Sequence, residues 1–421
     1  MTPNPIDIDA HNHEWSQLLG SHLEHALTTS ESYTSDESKD HLDFFRSHVC
    51  RWLGPAPKAN GNAEHISAAY PSALTADHTP CEISYGWKKG QGPTTVRYVV
   101  DMIPSNAKSG RIASLAAASR AIDELSFLAA SASPGVLMSP DLWAAVTAEM
   151  TKLEHEIHPV DRPSCGPCSS SSAFIGFDLI RRGARAKLYW LLPACLSPTG
   201  LLDLLDVVFE RCMVDGHLTG LPRFAEHWAQ VRHYLSINMH GPDALRPRML
   251  SLDASHHPIP RVKLYNRYYF ASDESFDVMK SHLALGGEIA LQPQTHDEYA
   301  ALWTCVQENN RLHAHTVEEL ERQRYCMVAY DIFPAPGGKG NNTITSKLYL
   351  FCDQLPGHDA FVTNELLAKF PAPADFLRRE FENGRLSERS THIKEVGLTG
   401  RDGVVDIAAY ISPSIFTPKA T

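Results

Sequence analysis

Apolar and polar positions alternate in five pairs of short stretches along this chain. CEISYGW (81–87) and TTVRYVVDM (94–102) flank the Gly-rich KKGQGP, while AFIGFDLI (173–180) and ARAKLYW (184–190) flank Arg181-Arg182-Gly183. RMLSLDA (248–254) precedes RVKLYNRYYF (261–270), YCMVAYDIF (325–333) and TSKLYLFC (345–352) flank PAPGGKGNNT, and HIKEVGLTG (392–400) precedes GVVDIAAYI (403–411). A period of two bounded by turn residues predicts β-hairpins. Elsewhere the apolar spacing is helical. It predicts helices from about Asn12 to Leu27, over DESKDHLDFFRSHVCRWLG, over GRIASLAAASRAIDELSFLAAS and over SPDLWAAVTAEMTKLEHEIH, the last with Ser139 as cap and Pro140 in its first turn. Further helices are predicted near 199–213, 222–236, 273–285, 296–323, 358–369 and 373–383.

One tripeptide recurs in the second stretch of three hairpins: Lys187-Leu188-Tyr189, Lys263-Leu264-Tyr265 and Lys347-Leu348-Tyr349. TTVRYVVDMIP gives Arg97 a similar place, and VVDIAAYISP keeps Tyr410 without a cation. Residues i and i+2 of a strand share a face, so each lysine points with its tyrosine and the leucine points away. The plain reading puts Lys and Tyr in solvent and Leu in the core. If the strands close on themselves inside a ring of helices, the leucines meet the helices and the Lys and Tyr faces line a lumen. The recurrence at 97, 187, 263 and 347 signals one repetitive architecture, taken as a single domain over 1–421 with helices of residues 1–60 packed on it. The predicted class is α+β, a ten-stranded antiparallel β-barrel ringed by helices. Closure removes sheet edges and leaves room for a ligand; an open sheet covered on one face is the competitor.

Composition narrows the partners. The formal net charge is −11, which argues against nucleic acid and anionic membranes, so cations gathered in a lumen would bind a small enclosed anion. MTPNPIDIDAHNHEW lacks the basic and apolar regions of a secretory signal, and the most apolar run, YWLLPACLSPTGLLDLLDVVF, is broken by prolines and by Asp203 and Asp206. Nine scattered cysteines fit a reducing cytosol, and a cytoplasmic location is expected.

Candidate chemistry follows from the repeated face. Arg97, Lys187, Arg261, Lys263 and Lys347 converging in a lumen would need a polyanion such as pyrophosphate, since several unpaired cations in a dry interior are costly. Cations alone can hold it without magnesium, and the chain has neither a DDxxD motif nor a Walker-type loop, because GGKGNN lacks the spacing and setting. Tyr189, Tyr265, Tyr349 and Tyr410 offer ring faces that stabilise an allylic carbocation by roughly 0.5–2 kcal/mol each; taken singly, each is also ordinary strand filler. Glu82 has two readings, acceptance of a hydrogen bond from an acceptor N–H or a salt bridge to a lumen cation. Cys165-Gly166-Pro167-Cys168 is a CxxC, but DRPS precedes it and SSSSAF leads into a strand, so the strand-then-helix redox setting is not met. No second CxxC is present for zinc, HEIH (155–158) lacks HExxH spacing, and the His11/His13 and His256/His257 pairs read as surface or loop residues.

DHTPCEISYGW, VRYVVDMIPS, GFDLIRRGARAKLYWLLP, RVKLYNRYY and SKLYLFCDQLPGHD resemble, in order from about residue 40 to 415, the dimethylallyltryptophan synthase family of aromatic prenyltransferases. The resemblance implies the α-β-β-α prenyltransferase barrel and transfer of a dimethylallyl group from dimethylallyl diphosphate to an aromatic, tryptophan-derived acceptor, with no cofactor and no bound metal. It implies that the five cations hold the diphosphate, the four tyrosines shield the cation and Glu82 grips an indole N–H. Lys347 stands where several members carry Gln, and Asp406 stands where a first tyrosine is expected before Tyr410. Where some members have a lysine base before GFDL, this chain has Ala173-Phe174-Ile175, so the final proton acceptor is unassigned. The alternatives are cyclisation of a longer allylic diphosphate and a non-catalytic isoprenoid-diphosphate carrier. A homodimer is an open expectation.

Overall fold

The computed structural model describes residues 8–57, 68–88, 94–105, 110–129, 135–158, 168–214, 224–256, 259–271, 274–314, 324–332, 344–383, 392–401 and 404–416. The expected turns KKGQGP and PAPGGKGNNT lie, save for Lys88, outside these residues, as do Cys165 and His257. The five expected hairpins form β1 (Cys81–Trp87) with β2 (Thr95–Asp101), β4 (Ala173–Ile180) with β5 (Gly183–Leu191), β6 (Leu245–His256) with β7 (Ile259–Phe270), β8 (Arg324–Ile332) with β9 (Ile344–Phe351), and β10 (Ile393–Arg401) with β11 (Val404–Ile411). All pair antiparallel with their neighbours. β5 joins β6 through Lys187↔Asp253, and β1 joins β11 through Ile83↔Ile411, so the sheet closes into a ten-stranded barrel. The open sheet is thereby excluded.

A short strand that the patterning gave no hint of, β3 (Gly135–Leu137), lies parallel to the start of β5. Gly183 permits it: a Cβ there would stand 2.1 Å from the Gly135 carbonyl oxygen.

The repeated tripeptide explains why both sides of the sheet are filled. Leu188, Leu264 and Leu348 are fully buried in a core that also takes in the helices. A separate apolar cluster inside the barrel contains Tyr265, Ala329, Tyr349 and Phe351, with Tyr189, Met249, Tyr325, Met327 and Tyr410 packed against it. Outside stand α1 (Ile8–Thr29), α2 (Ser35–Ser47), α3 (Arg111–Ala129), α4 (Pro140–Ile157), α5 (Pro198–Val214), α6 (Phe224–Asn238), α7 (Phe276–Leu283), α8 (Pro293–His313) and α9 (Pro371–Glu382).

α2 packs on the barrel through its aromatic rings. Phe45 meets Tyr98 of β2 edge-on at 5.1 Å, and Phe44 meets Phe177 of β4 at 5.6 Å. α2 begins with a reciprocal cap, the Thr34 hydroxyl accepting from the Glu37 N–H and the Glu37 carboxylate accepting from the Thr34 N–H. Ser139 sits at the start of α4, but its side chain makes no capping bond; Pro140 sets the first turn instead. α8 ends at His313, and residues 315–323 of its predicted span lie outside the described residues. Residues 358–366 form a helical turn followed by a π-turn rather than one helix. Among the described residues, no helix is long and apolar enough to cross a membrane.

Candidate active site

The lumen holds two cavities. The smaller, of about 210 Å³, is lined by all five expected cations, Arg97, Lys187, Arg261, Lys263 and Lys347, together with Lys88, Arg185, Asp178, Thr399 and Asp406. The larger, of about 410 Å³, is lined by Glu82, Phe174, Met249, Arg267, Tyr325, Met327, Phe351, Lys394 and Glu395, among others. Four residues belong to the walls of both: Tyr189, Tyr265, Tyr349 and Tyr410. They are the four singled out from the repeat. Their ring centroids follow one another at 6.2, 5.6 and 6.1 Å, all tilted, and make a partition across the barrel.

Alternation puts these side chains inside, and glycines make room for them. Gly397 of β10 faces Tyr349 of β9 in the ladder, and a Cβ there would come within 3.0 Å of the Tyr349 ring. Gly86 does the same for Arg97, whose guanidinium would lie 2.8 Å from a Cβ at that position.

Each of the five expected cations comes from the second strand of a hairpin and is neutralised in part by an aspartate from a first strand. Asp178 (β4) pairs with Lys187 at 2.5 Å and Arg97 at 3.3 Å. Asp253 (β6) pairs with Arg261 at 2.5 Å and Lys263 at 2.9 Å, and Asp331 (β8) with Arg261 at 2.9 Å and Lys347 at 3.0 Å. These five cations against three carboxylates leave an excess of two positive charges when all are ionised, and Lys88, Arg185 and Asp406 of the same wall raise it to three, inside a chain whose total is −11. Sequence reasoning missed these aspartates. A signal was present: each is the single acid of its strand, and a buried acid requires a partner.

Burial and pairing compete at each group. Burial pushes the Lys187 ammonium down to about 8 although Asp178 opposes it. Lys347 falls further, to about 7, because burial outweighs Asp331 and because Lys263 and Arg261 repel its charge. Burial would raise the Asp178 and Asp331 carboxyls, but the adjoining cations hold both at about 2. Lys187 and Lys347 therefore give up their protons more readily than an ordinary lysine, and an arriving polyanion would oppose that loss. Burial drives the phenols of Tyr189, Tyr265 and Tyr349 well above their ordinary value. The partition is thus built from neutral rings, which present π-faces rather than nucleophilic phenolates.

Glu82 faces the large chamber and adopts the salt-bridge geometry: Lys394 Nζ donates to its Oε2 at 2.8 Å. Lys394 reaches inward because of a bulge. The β10–β11 register shifts between Ile393 and Glu395, so Lys394 is the extra residue and both it and its neighbour Glu395 face the same cavity. In a regular strand one of the two would point into the helical layer. Burial, with help from Glu82 and Asp353 and against Lys394, raises the Glu395 carboxyl to about 8. Neither Lys394 nor Glu395 was legible beforehand, since a bulge leaves no mark in the alternation. Phe174, in the apolar run that left the proton acceptor unassigned, forms part of the same wall. Asp406 lines the small chamber, not the ring partition.

A partition of neutral phenols between a cationic chamber and an aromatic one suits allylic group transfer, and comparison with known proteins agrees. The family model described as tryptophan dimethylallyltransferase matches residues 11–372. The chain belongs to that prenyltransferase family. Xanthone prenyltransferase B of Emericella nidulans is 24% identical over 450 aligned positions, covering 97% of this chain and 88% of that protein. The 4-O-dimethylallyl-L-tyrosine synthase of Claviceps purpurea is 30% identical over a shorter stretch of 102, which is 24% of this chain and 22% of that one. Among solved structures, AnaPT from Neosartorya fischeri superposes with a TM-score of 0.66 at 17% identity, over 97% of this chain and 95% of that one. NotF in complex with brevianamide F and DMSPP gives 0.66 at 16%, over 97% and 99%. These structures share the barrel fold of this family member.

Proposed function

We propose that the protein transfers a dimethylallyl group from dimethylallyl diphosphate to a carbon of an indole-containing acceptor, with no divalent cation at the diphosphate. The observation that carries this reading is the tyrosine partition between the two chambers. In the small chamber the C–O bond of the donor breaks, and its electron pair leaves with the diphosphate. The charge that develops there is stabilised by Arg97, Lys187, Arg261, Lys263 and Lys347, held in place beforehand by their aspartates. The allylic cation stays among the faces of Tyr189, Tyr265, Tyr349 and Tyr410, which exclude water. A ring carbon in the large chamber supplies the electron pair of the new C–C bond, and a base removes the ring proton.

Glu82 accepts the indole N–H alongside Lys394, since a carboxylate has about four lone-pair sites. Glu395 is the proposed proton acceptor: it faces the same chamber, and its carboxyl, near 8, is matched to taking a proton near neutral pH.

A second reading, transfer to a phenolic ring, is favoured by the whole-chain alignment with a xanthone prenyltransferase and by the Lys394–Glu82 pair. There Glu395 would take the phenol proton and Lys394 would stabilise the phenolate. A mass-spectrometric screen of indole, tyrosine, cyclic-dipeptide and polyphenol acceptors with dimethylallyl diphosphate in EDTA decides between them. C-prenylated indole products are expected, and products from polyphenols alone would move the assignment to the second reading. Hydrocarbon or alcohol products from farnesyl diphosphate alone, with no acceptor prenylated, would replace both by cyclisation. Diphosphate binding without any turnover would leave a carrier.

A further inference from the structure

We propose that His158, Cys168 and Cys195 hold a zinc ion at the rim of the large chamber, with the fourth position left to water, at a site separate from the diphosphate cage. Their ligand atoms lie within 4.8 Å of one another, although the residues come from three different segments. His158 ends α4, Cys168 precedes β4 and Cys195 follows β5. The Cys195 Sγ and His158 Nε2 are 3.6 Å apart. Tetrahedral angles with Zn–S near 2.3 Å and Zn–N near 2.0 Å place a thiolate and an imidazole ligand about 3.6 Å apart. Sequence reasoning looked for the remaining ligands in a second CxxC; the fold supplies them from a helix end and a loop instead.

The three segments are already pinned together by one buried side chain. Arg111 donates from Nε to Glu154 of α4 at 2.5 Å, from Nη1 to the Ser171 carbonyl at 3.2 Å and from Nη2 to the Leu191 carbonyl at 2.6 Å. Trp190 of β5 adds a bond to Thr147 of α4 at 3.1 Å. The ligand atoms are thus presented from a rigid frame, which limits the ordering cost of binding a metal. A second observation points to a cation. Glu154 Oε2 is buried without a hydrogen-bond partner among the described residues, 3.9 Å from His158 Nε2. A positive ion near that nitrogen would give the orphaned carboxylate oxygen a favourable field.

Thiolate and imidazole donors select zinc over magnesium or calcium. Two thiols lose their protons to bind it, so affinity falls with falling pH. Ser169 and Ala194, the chain neighbours of Cys168 and Cys195, line the large cavity and not the small one. The ion would therefore fix the edge of the acceptor chamber and leave the diphosphate end alone.

The test uses the full chain without a histidine tag, reduced, loaded with zinc and freed of excess by gel filtration. Elemental analysis is expected to give roughly one zinc per chain, falling at least about tenfold in Cys195→Ser and in His158→Ala. Cys195 is exposed, so its serine variant is expected to keep the wild-type circular dichroism. Cobalt substitution is expected to show a thiolate-to-metal charge-transfer band that loses about half its intensity in Cys195→Ser. Metal-free protein is expected to show a raised KM for the aromatic acceptor with the KM for dimethylallyl diphosphate unchanged. Zinc below about a tenth per chain, zinc content unaffected by Cys195→Ser, or a Cys168–Cys195 disulfide in metal-free protein under the same reducing conditions would each overturn the site. These metal readouts stand whichever acceptor the enzyme takes.

Discussion

The two chambers of the barrel are built by opposite means. The cationic one is made by repetition: second strands supply the cations, first strands supply the aspartates, and the same parity repeats around the wall. The acceptor chamber is made from exceptions, including the bulged Lys394, the loop residues Ala73–Ala76 and Asp353 in a 3₁₀ turn. The diphosphate of the proposed donor is a compact polyanion that a periodic wall of cations can meet. An acceptor that varies among relatives is met where the sheet departs from its own rule.

The sharpest way to break that contrast is Arg261→Ala, which removes a cation of the small chamber that two aspartates share. Losing one preorganised stabiliser of leaving-group charge is expected to lower kcat/KM for dimethylallyl diphosphate by about 10²- to 10³-fold, measured in EDTA. A loss under about fivefold would mean that the small chamber does not hold the diphosphate.

Glu395→Gln comes next, with kcat expected to drop by about 10²-fold and diphosphate affinity unchanged. Wild-type kcat should rise with pH toward about 8, as Glu395 ionises, and the variant should lose that limb. On the other side, kcat/KM for the donor should fall as pH passes the Lys347 and Lys187 values of about 7 and 8, because both lysines lose charge going up. The linkage has a definite sign for Glu395. Its folded pKa lies above the ordinary 4.5, so the native chain binds more protons than the unfolded one between those values and loses stability as pH rises from about 4.5 to 8. The Tm advantage of Glu395→Gln over wild type should therefore widen across that window; a constant offset would place this carboxyl outside the buried chamber.

A smaller effect separates ring face from hydroxyl. Tyr265→Phe is expected to stay within about threefold of wild type, whereas Tyr265→Ala should divert several-fold more of the donor to dimethylallyl alcohol, read by gas chromatography. Equal leakage from both variants would deny the partition its role as a shield. An effect on acceptor binding alone is expected from Glu82→Gln. Loss of one charge-assisted hydrogen bond, about 1.5 kcal/mol, should raise KM for indole acceptors about tenfold and leave phenolic ones unaltered. The reverse pattern would favour the phenolic reading.

What was legible follows the same division. The repeated Lys-Leu-Tyr pointed to three of the cations and three of the rings, the related strands added Arg97 and Tyr410, and Arg261 shares a face with Lys263, because alternation carries side-chain direction directly from residue order. The aspartates that hold the cations were written in the same strands, yet each is one acid whose partner lies on another strand, and pairing across strands depends on register. Lys394 and Glu395 were beyond reach for a stronger reason: adjacent residues normally point apart, and only the register shift at the Ile393–Glu395 step turns them the same way. His158 and Cys195 belong with these, brought beside Cys168 by the meeting of β4, β5 and α4 rather than by spacing.

Because the four tyrosines are a party wall, a change at any of them resizes both rooms. Under the proposed function, trimming a ring to admit a longer prenyl tail also deepens the space offered to the aromatic substrate, and a bulkier residue there crowds the donor in turn. At these four positions donor length and acceptor size would move together, whereas Phe174 or Met249 would tune the acceptor side by itself.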